Sequence, residues 1–287
     1  MLCFLLGACS GISQTTPASN LPLNSNSSNG SAIPLPIETA QANNKVPVYW
    51  LGAANQGFLY REFLRLNSGD DPIRAALQLM TSTKPLDPRY LTPWSKASKI
   101  AASVSGRTSI TVDLSADAFA GKVSNETAQL AVQQLVYTAT AAASNAGLVD
   151  SGQNVQVTVL VDGHTDFNAF DQVKLDRPLT RDASVQAPIW IIDPQQGAVF
   201  ESNTVNIGGR ASLSSGSLQW ELYLVDAQGV PGLTQKGSAS SAAAAQAGNF
   251  AFSLDLPSGK YQLKVFGTDS NNPSAQLYLE DKTFTVK

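Results

Sequence analysis

Beyond position 9 the sequence has no cysteine: its two, Cys3 and Cys9, both fall within the first nine of 287 residues. That excludes disulfides and thiolate metal sites downstream, so folding must rest on packed cores. Histidine occurs once, at His164, which removes most acid–base and metal-ligand chemistry from consideration. Charge is scarce as well. Asp, Glu, Lys and Arg make up 14% of the chain, where about a quarter is usual. With a net charge of −3 and no clustered Lys and Arg, nucleic acid is excluded as a main partner. No run of 18 or more apolar residues offers a membrane-spanning helix.

What is present begins with an address. Residues 1–9 read MLCFLLGAC, an apolar run closing on Leu6-Gly7-Ala8-Cys9. This resembles the lipobox of bacterial lipoproteins, a branched apolar residue and two small residues before a cysteine. The resemblance implies diacylglycerol on the Cys9 thiol, cleavage just before Cys9 and a place on the outer face of the cytoplasmic membrane. Small residues suit a peptidase that must approach the backbone closely. Only eight residues precede Cys9 and none is basic, so Met1 is expected to lie downstream of the true start. Residues 10–44 are rich in Ser, Asn, Thr and Pro, with almost no charge and no apolar period. They are expected to form a disordered tether, spanning about 30–35 Å as a flexible chain.

Hydrophobic residues reach 43%, enough for real cores, and the length suggests two domains. In residues 45–182, Val46, Val48 and Trp50 alternate in VPVYWLG, and FLYREFLRL (58–66) follows a Gly57 turn, which reads as a hairpin. Asp71-Pro72 supplies an N-cap and a first helical residue. Ile73, Ala76, Leu77 and Met80 then form one stripe. Residues 84–95 read as a loop with three prolines. Strands are expected at 98–104 and 108–114 around Gly106. A second helix is expected from Ser124, with its stripe from Ala128 to Ala139 and a C-cap at Gly147. A strand follows at Val155–Val161. The order ββαββαβ implies an α+β fold with helices on one face of a sheet. VPVYW…FLYREFLRL, RAALQLM, SITVDLSADAF, QLAVQQLVYTATA and VQVTVLVDG resemble, in sequence and order, the GerMN domain of sporulation and spore germination proteins.

After a polar connector at Asp176–Ala187 the period becomes two. Leu218, Trp220, Leu222 and Leu224 alternate with polar residues, as do Phe250, Phe252 and Leu254, and Tyr261, Leu263 and Val265. Residues 187–287 are therefore expected to form an all-β antiparallel sandwich, with Trp220 and Leu224 facing its core. PIWIIDPQQGAVFESNTVNIGGRA, LQWELYLVDAQG and LPSGKYQLKVFGTDSN resemble the immunoglobulin-like domain that accompanies GerMN in the same proteins.

Catalytic chemistry finds little support. His164 lacks a G-x-S-x-G partner and reads as a loop residue. Asp162, Asp166 and Asp171 lack the EF-hand spacing and read as loop carboxylates. Asp113 in TVDLS is expected to receive backbone N–H bonds. Gly208-Gly209 reads as a bulge, not a phosphate cradle. Among Trp50, Trp94, Trp190 and Trp220, Trp94 in the Pro-rich loop is best placed for exposure. The expected protein is thus not an enzyme and has no cofactor or metal. It is a membrane-tethered interaction or scaffold protein of the sporulation and germination type, with an envelope protein or peptidoglycan as partner. The alternative is a module that binds cell wall or a small ligand for a membrane partner.

Overall fold

The structure, a computed structural model, describes residues 44–52, 57–66, 69–150, 154–213, 217–239, 248–269, 271–272 and 274–287. Cys9, the lipobox and the tether at 10–43 lie outside the described residues.

The alternating Val46, Val48 and Trp50 build β1 (Lys45–Gly52), which pairs antiparallel with β2 (Leu59–Arg65) in a register that sets Trp50 against Tyr60. Helix α1 (Pro72–Ser82) starts as its sequence dictates, the Asp71 carboxylate accepting from Arg74 N at 2.7 Å. Ile73, Ala76, Leu77 and Met80 are buried together. The Pro-rich stretch is not wholly loop, because β3 (Tyr90–Leu91) pairs with β1. Strands β4 (Ile100–Ser105) and β5 (Ser109–Leu114) form a hairpin whose turn holds Gly106 and Arg107 at positive φ. Helix α2 (Asn125–Asn145) is capped by Ser124 and followed by Gly147 at φ 69°. It crosses over to β6 (Gln156–Val161), parallel to β5. An unforeseen small hairpin follows, β7 (Phe167–Ala169) with β8 (Val173–Leu175).

One expectation fails here. There is no single sheet under the helices but two three-stranded ones, ordered β2-β1-β3 and β4-β5-β6. Pro85, Pro88 and Pro93 flank β3 and remove ladder donors, so pairing stops after two residues and the sheet cannot run on into β4. Both sheets and both helices contribute to one core that includes Trp50, Leu77, Ile110, Leu135 and Val157.

The C-terminal part consists of β9 (Ile189–Asp193), β10 (Ala198–Phe200), β11 (Thr204–Ala211), β12 (Leu218–Val225), β13 (Pro231–Ala239), β14 (Gly248–Asp255), β15 (Gly259–Thr268) and β16 (Gln276–Val286). They form two sheets, β10-β16-β15-β12-β13 and β14-β11-β9. A second core joins them through Ile189, Ile207, Leu222, Phe250, Leu263 and Phe284. The Gly208-Gly209 pair is a bulge against β9, and a Cβ on Gly209 would fall 2.2 Å from the Phe250 ring. The period-two reading of β12 holds only in part. Leu218 and Leu222 are buried, Trp220 is half-buried and stacked on Phe252 at 4.9 Å, and Leu224 is exposed. Three strands cannot cover five, and β12 lies on the side of the larger sheet that ends in β13.

The connector is not a free linker. Leu179 pairs with Val157, Arg181 Nε donates to Thr140 Oγ1 at 2.7 Å, and Tyr137 OH donates to the Asp182 carbonyl at 2.8 Å.

Candidate functional site

The residues singled out in the sequence do not converge. Asp113, at the end of β5, accepts from Gly163 N at 2.9 Å, and Asp162, just past β6, accepts from Ala116 N at 3.1 Å. Both carboxylates thereby stitch neighbouring loops together, as expected of Asp113. Asp162, Asp166 and Asp171 have φ of 50°, 69° and 58°, a conformation in which Asp is among the best-tolerated residues. Asp166 pairs with Lys174 at 2.9 Å. His164 is exposed and closes its turn through its backbone, with N and O bonded to Val161. Among the described residues, no three His, Cys, Asp or Glu side chains gather as a metal site requires. Trp94, expected outside, is buried. Its ring packs on Phe119 and Phe170, and its Nε1 donates to the Ala131 carbonyl at 3.3 Å. The prolines around it fold the loop back over α2 rather than out into water.

The concentration of buried charge lies elsewhere, where the N-terminal module meets the sandwich. Period two along β16 places Glu280 and Lys282 on the same face as Phe284 and Val286, and all four are buried. Lys282, only 3% exposed, donates from Nζ to Asp87 Oδ2 at 2.8 Å and Tyr90 OH at 2.7 Å, and lies 3.0 Å from Glu280 Oε1. Tyr90 OH donates to Glu280 Oε1 at 2.7 Å, and Glu280 Oε2 accepts from Ile191 N at 2.7 Å. Glu62 on β2 accepts from Leu86 N and Asp87 N at 2.7 and 2.8 Å, fixing the loop that carries Asp87. Arg89 grips Asp87 with Nε and Nη2 and reaches across to the Asp281 carboxylate and carbonyl.

Each ionisation follows from its surroundings. Burial works against the Asp87 carboxylate, but Arg89 and Lys282 outweigh it and lower its pKa to about 2. Burial dominates at Glu62 and raises it, although two backbone N–H bonds pull the other way. Burial, then Glu280 and Asp87, hold the Tyr90 phenol well above its ordinary value, so it stays a proton donor. With every partner occupied, the cluster has no nucleophile or base free to act. It can hold two bodies together.

Apolar contacts complete the junction. Alternation on β9 sends Ile189 and Ile191 into the sandwich core and Trp190 into the N-terminal core, which Ala187, just before the strand, also joins. Phe63 N donates to Gln195 Oε1 at 2.8 Å, and Ala187 N to the Leu59 carbonyl at 3.2 Å.

The N-terminal side of this junction lies in a segment that matches a family model. Residues 47–166 match the family model described as "Germane: Sporulation and spore germination". Asp113, His164 and the junction residues Glu62, Asp87, Arg89 and Tyr90 all lie within this matched segment. Glu280, Asp281 and Lys282 lie outside it. Two solved structures from Bacillus subtilis are similar in part. The first GerMN domain of the sporulation protein GerM is 14% identical, with 48% of this chain and 98% of that one covered and a TM-score of 0.37. The tandem GerMN domains of the same protein are 21% identical, with 52% of this chain and 51% of that one covered and a TM-score of 0.38. No curated protein matches.

The sequence reading missed the junction entirely. The signal available was period two continuing through LEDKTFTV, which puts Glu280 and Lys282 on the inward face.

Proposed function

We propose that this chain is a lipid-anchored, non-catalytic protein of the bacterial envelope, acting as an interaction or scaffold body in processes of the sporulation and germination type. The observation that carries the reading is the Germane match over residues 47–166. The buried junction supports its second element. A GerMN-type domain at 45–182 and a sandwich at 187–287, locked by Lys282, Asp87, Glu280 and Trp190, present a partner with one rigid body. We read the sandwich as immunoglobulin-like because its first strand switches sheets, β9 pairing with β11 and β10 with β16.

Lipidation of Cys9 would tether that body outside the cytoplasmic membrane, and the wild-type protein should then partition with membranes and detergent. Cys9→Ala should release it or leave an unprocessed precursor, in a gene that begins at the true upstream start. Wild-type protein recovered soluble and unmodified at Cys9 overturns the anchor. Crosslinking in intact cells with mass spectrometry should capture an envelope protein. Recovery of wall fragments alone turns the reading toward the wall-binding alternative.

A further inference from the structure

Several strand edges among the described residues are closed or guarded. In the N-terminal module the outer side of β2 meets Ala187 and Gln195, and that of β6 meets Leu179. In the sandwich, the long edge strand β13 carries Pro231, Lys236 and a register shift opposite Leu222 and Tyr223, devices that discourage a further strand from pairing. Strand β4 has none of these. It is the outermost strand of its sheet, and IAASVS contains no charge, no proline and no bulge against β5. The direction of its backbone groups follows from its neighbours. Gln156 N donates to the Thr108 carbonyl and Asp162 N to the Leu114 carbonyl, so every second residue from Thr108 to Leu114 bonds toward β6. The residues between them, Ser109, Thr111 and Asp113, turn toward Ser105, Ser103 and Ala101, as Ser115 does toward Lys99. Ile100, Ala102 and Val104 therefore point their N–H and C=O groups away from the sheet, and they meet no partner among the described residues. The open stretch ends there, because the Ser98 N–H is taken by Asp117 and Gly106 begins the turn.

We propose that β4 is the docking edge for a second copy of this chain, the two strands pairing antiparallel across a two-fold axis at Ala102. In that register Ala102 faces its own copy, and Ile100 of each chain faces Val104 of the other. All three outward residues are used, and each facing pair exchanges two N–H···O bonds, about six in all. Any other register leaves an outward residue without a partner. The faces match as well. Ile100, Ala102 and Val104 are half-buried on the core side, and their remaining apolar surface would meet its like. On the opposite face Ala101 would meet Ser103, both exposed. The nearest cations, Lys99 and Arg107, fall opposite Ser105 and Ala97 rather than each other, and are paired with Asp113 and Asp150. A foreign strand would find the same ladder, but the match of this strand to itself favours a second copy. The joined sheet, β6-β5-β4-β4-β5-β6, ends on two β6 strands that Leu179 already meets, so assembly stops at two. The inference goes beyond the scaffold reading and needs neither the anchor nor an envelope partner.

The test is sedimentation of the full chain from about 1 µM to about 1 mM, with reductant present so that Cys3 and Cys9 cannot join copies. So narrow an interface should give a weak dimer, with Kd on the order of 10–100 µM. Ala102→Pro removes the central donor of the open edge without touching the ladder to β5, and should raise Kd at least about tenfold. Ser103→Lys and Ser103→Glu, on the exposed face, should each weaken the dimer about threefold or more, and mixing the two should restore it. These two should leave the unfolding midpoint of the dilute chain unchanged, so they decide the matter even if Ala102→Pro fails to fold. Hydrogen exchange at the Ile100, Ala102 and Val104 amides should slow as concentration rises. A chain that stays monomeric throughout overturns the proposal. So does a dimer indifferent to the Ser103 substitutions, or an assembly that grows beyond two. Protection of those amides only on addition of a different protein overturns the choice of partner.

Discussion

Two groups of acidic residues in this chain have opposite fates. Asp113 lies at the end of β5, and Asp162 and Asp166 follow β6 four positions apart. They are bonded to nearby backbone N–H groups or to Lys174 and remain at least partly in water. Glu62, Asp87 and Glu280 are scattered over more than 200 positions, carry no motif, and come together out of water around Lys282. Proximity along the chain advertises chemistry, whereas burial gives it energetic weight. A loop carboxylate that loses its partner is rehydrated. One in the junction is not, because the cost of its desolvation is met by the hydrogen bonds and charges packed beside it.

The sharpest way to break this contrast is Lys282→Met. It keeps the apolar stem but takes from Glu280 and Asp87 the buried cation between them, and should cost about 3–5 kcal/mol in urea unfolding. A single transition in the wild type should also split into two, since the junction no longer couples the halves. Unchanged cooperativity would mean that Trp190 and its neighbours suffice. Next comes acid. Asp87 has an ordinary pKa of 3.8 and a folded value of about 2. Its contribution, about 2 kcal/mol, is therefore present above pH 4 and lost as pH falls toward 2. Asp87→Asn should flatten that slope. Glu62, raised by burial, acts in the reverse sense. Its stabilising share is complete at low pH and disappears as pH climbs through its folded pKa, so Glu62→Gln should steepen the loss in acid. Asp113→Ala removes one partly exposed bond and should cost about 0.5–1.5 kcal/mol. Smallest of all, Arg107→Gln breaks a fully exposed pair with Asp150 and should leave the unfolding midpoint where it was.

Local signals in the sequence translated well. Asp71-Pro72 and Ser124 start the two helices, Gly147 follows the second, and the stripes from Ile73 and Ala128 are buried. These features depend on neighbours three or four residues away, which the sequence displays directly. Long-range features were hidden. The split into two sheets turns on how far β3 can pair before a proline intervenes. The exposure of Leu224 turns on which strands cover β12. Trp94 in a proline-rich loop gave no hint that α2 would supply a carbonyl for its indole N–H. Of the candidate sites, the loop aspartates were legible as loop carboxylates. The junction was illegible because Tyr90 and Glu280, hydrogen-bonded at 2.7 Å, are 190 positions apart.

Strand β16 carries Glu280 and Lys282, and it also lies between β10 and β15 inside its sheet. It is therefore needed twice, once to close the sandwich and once to bring Lys282 to Asp87, 195 positions earlier in the chain. A chain emerging N-terminus first must carry Asp87 and Tyr90 without their counterparts until those last residues arrive. The N-terminal module can collapse early, but its surface against the sandwich is finished only when β16 arrives. A defect in β16 should therefore be felt at both ends of the body at once, as an exposed junction face that proteases reach before any core does.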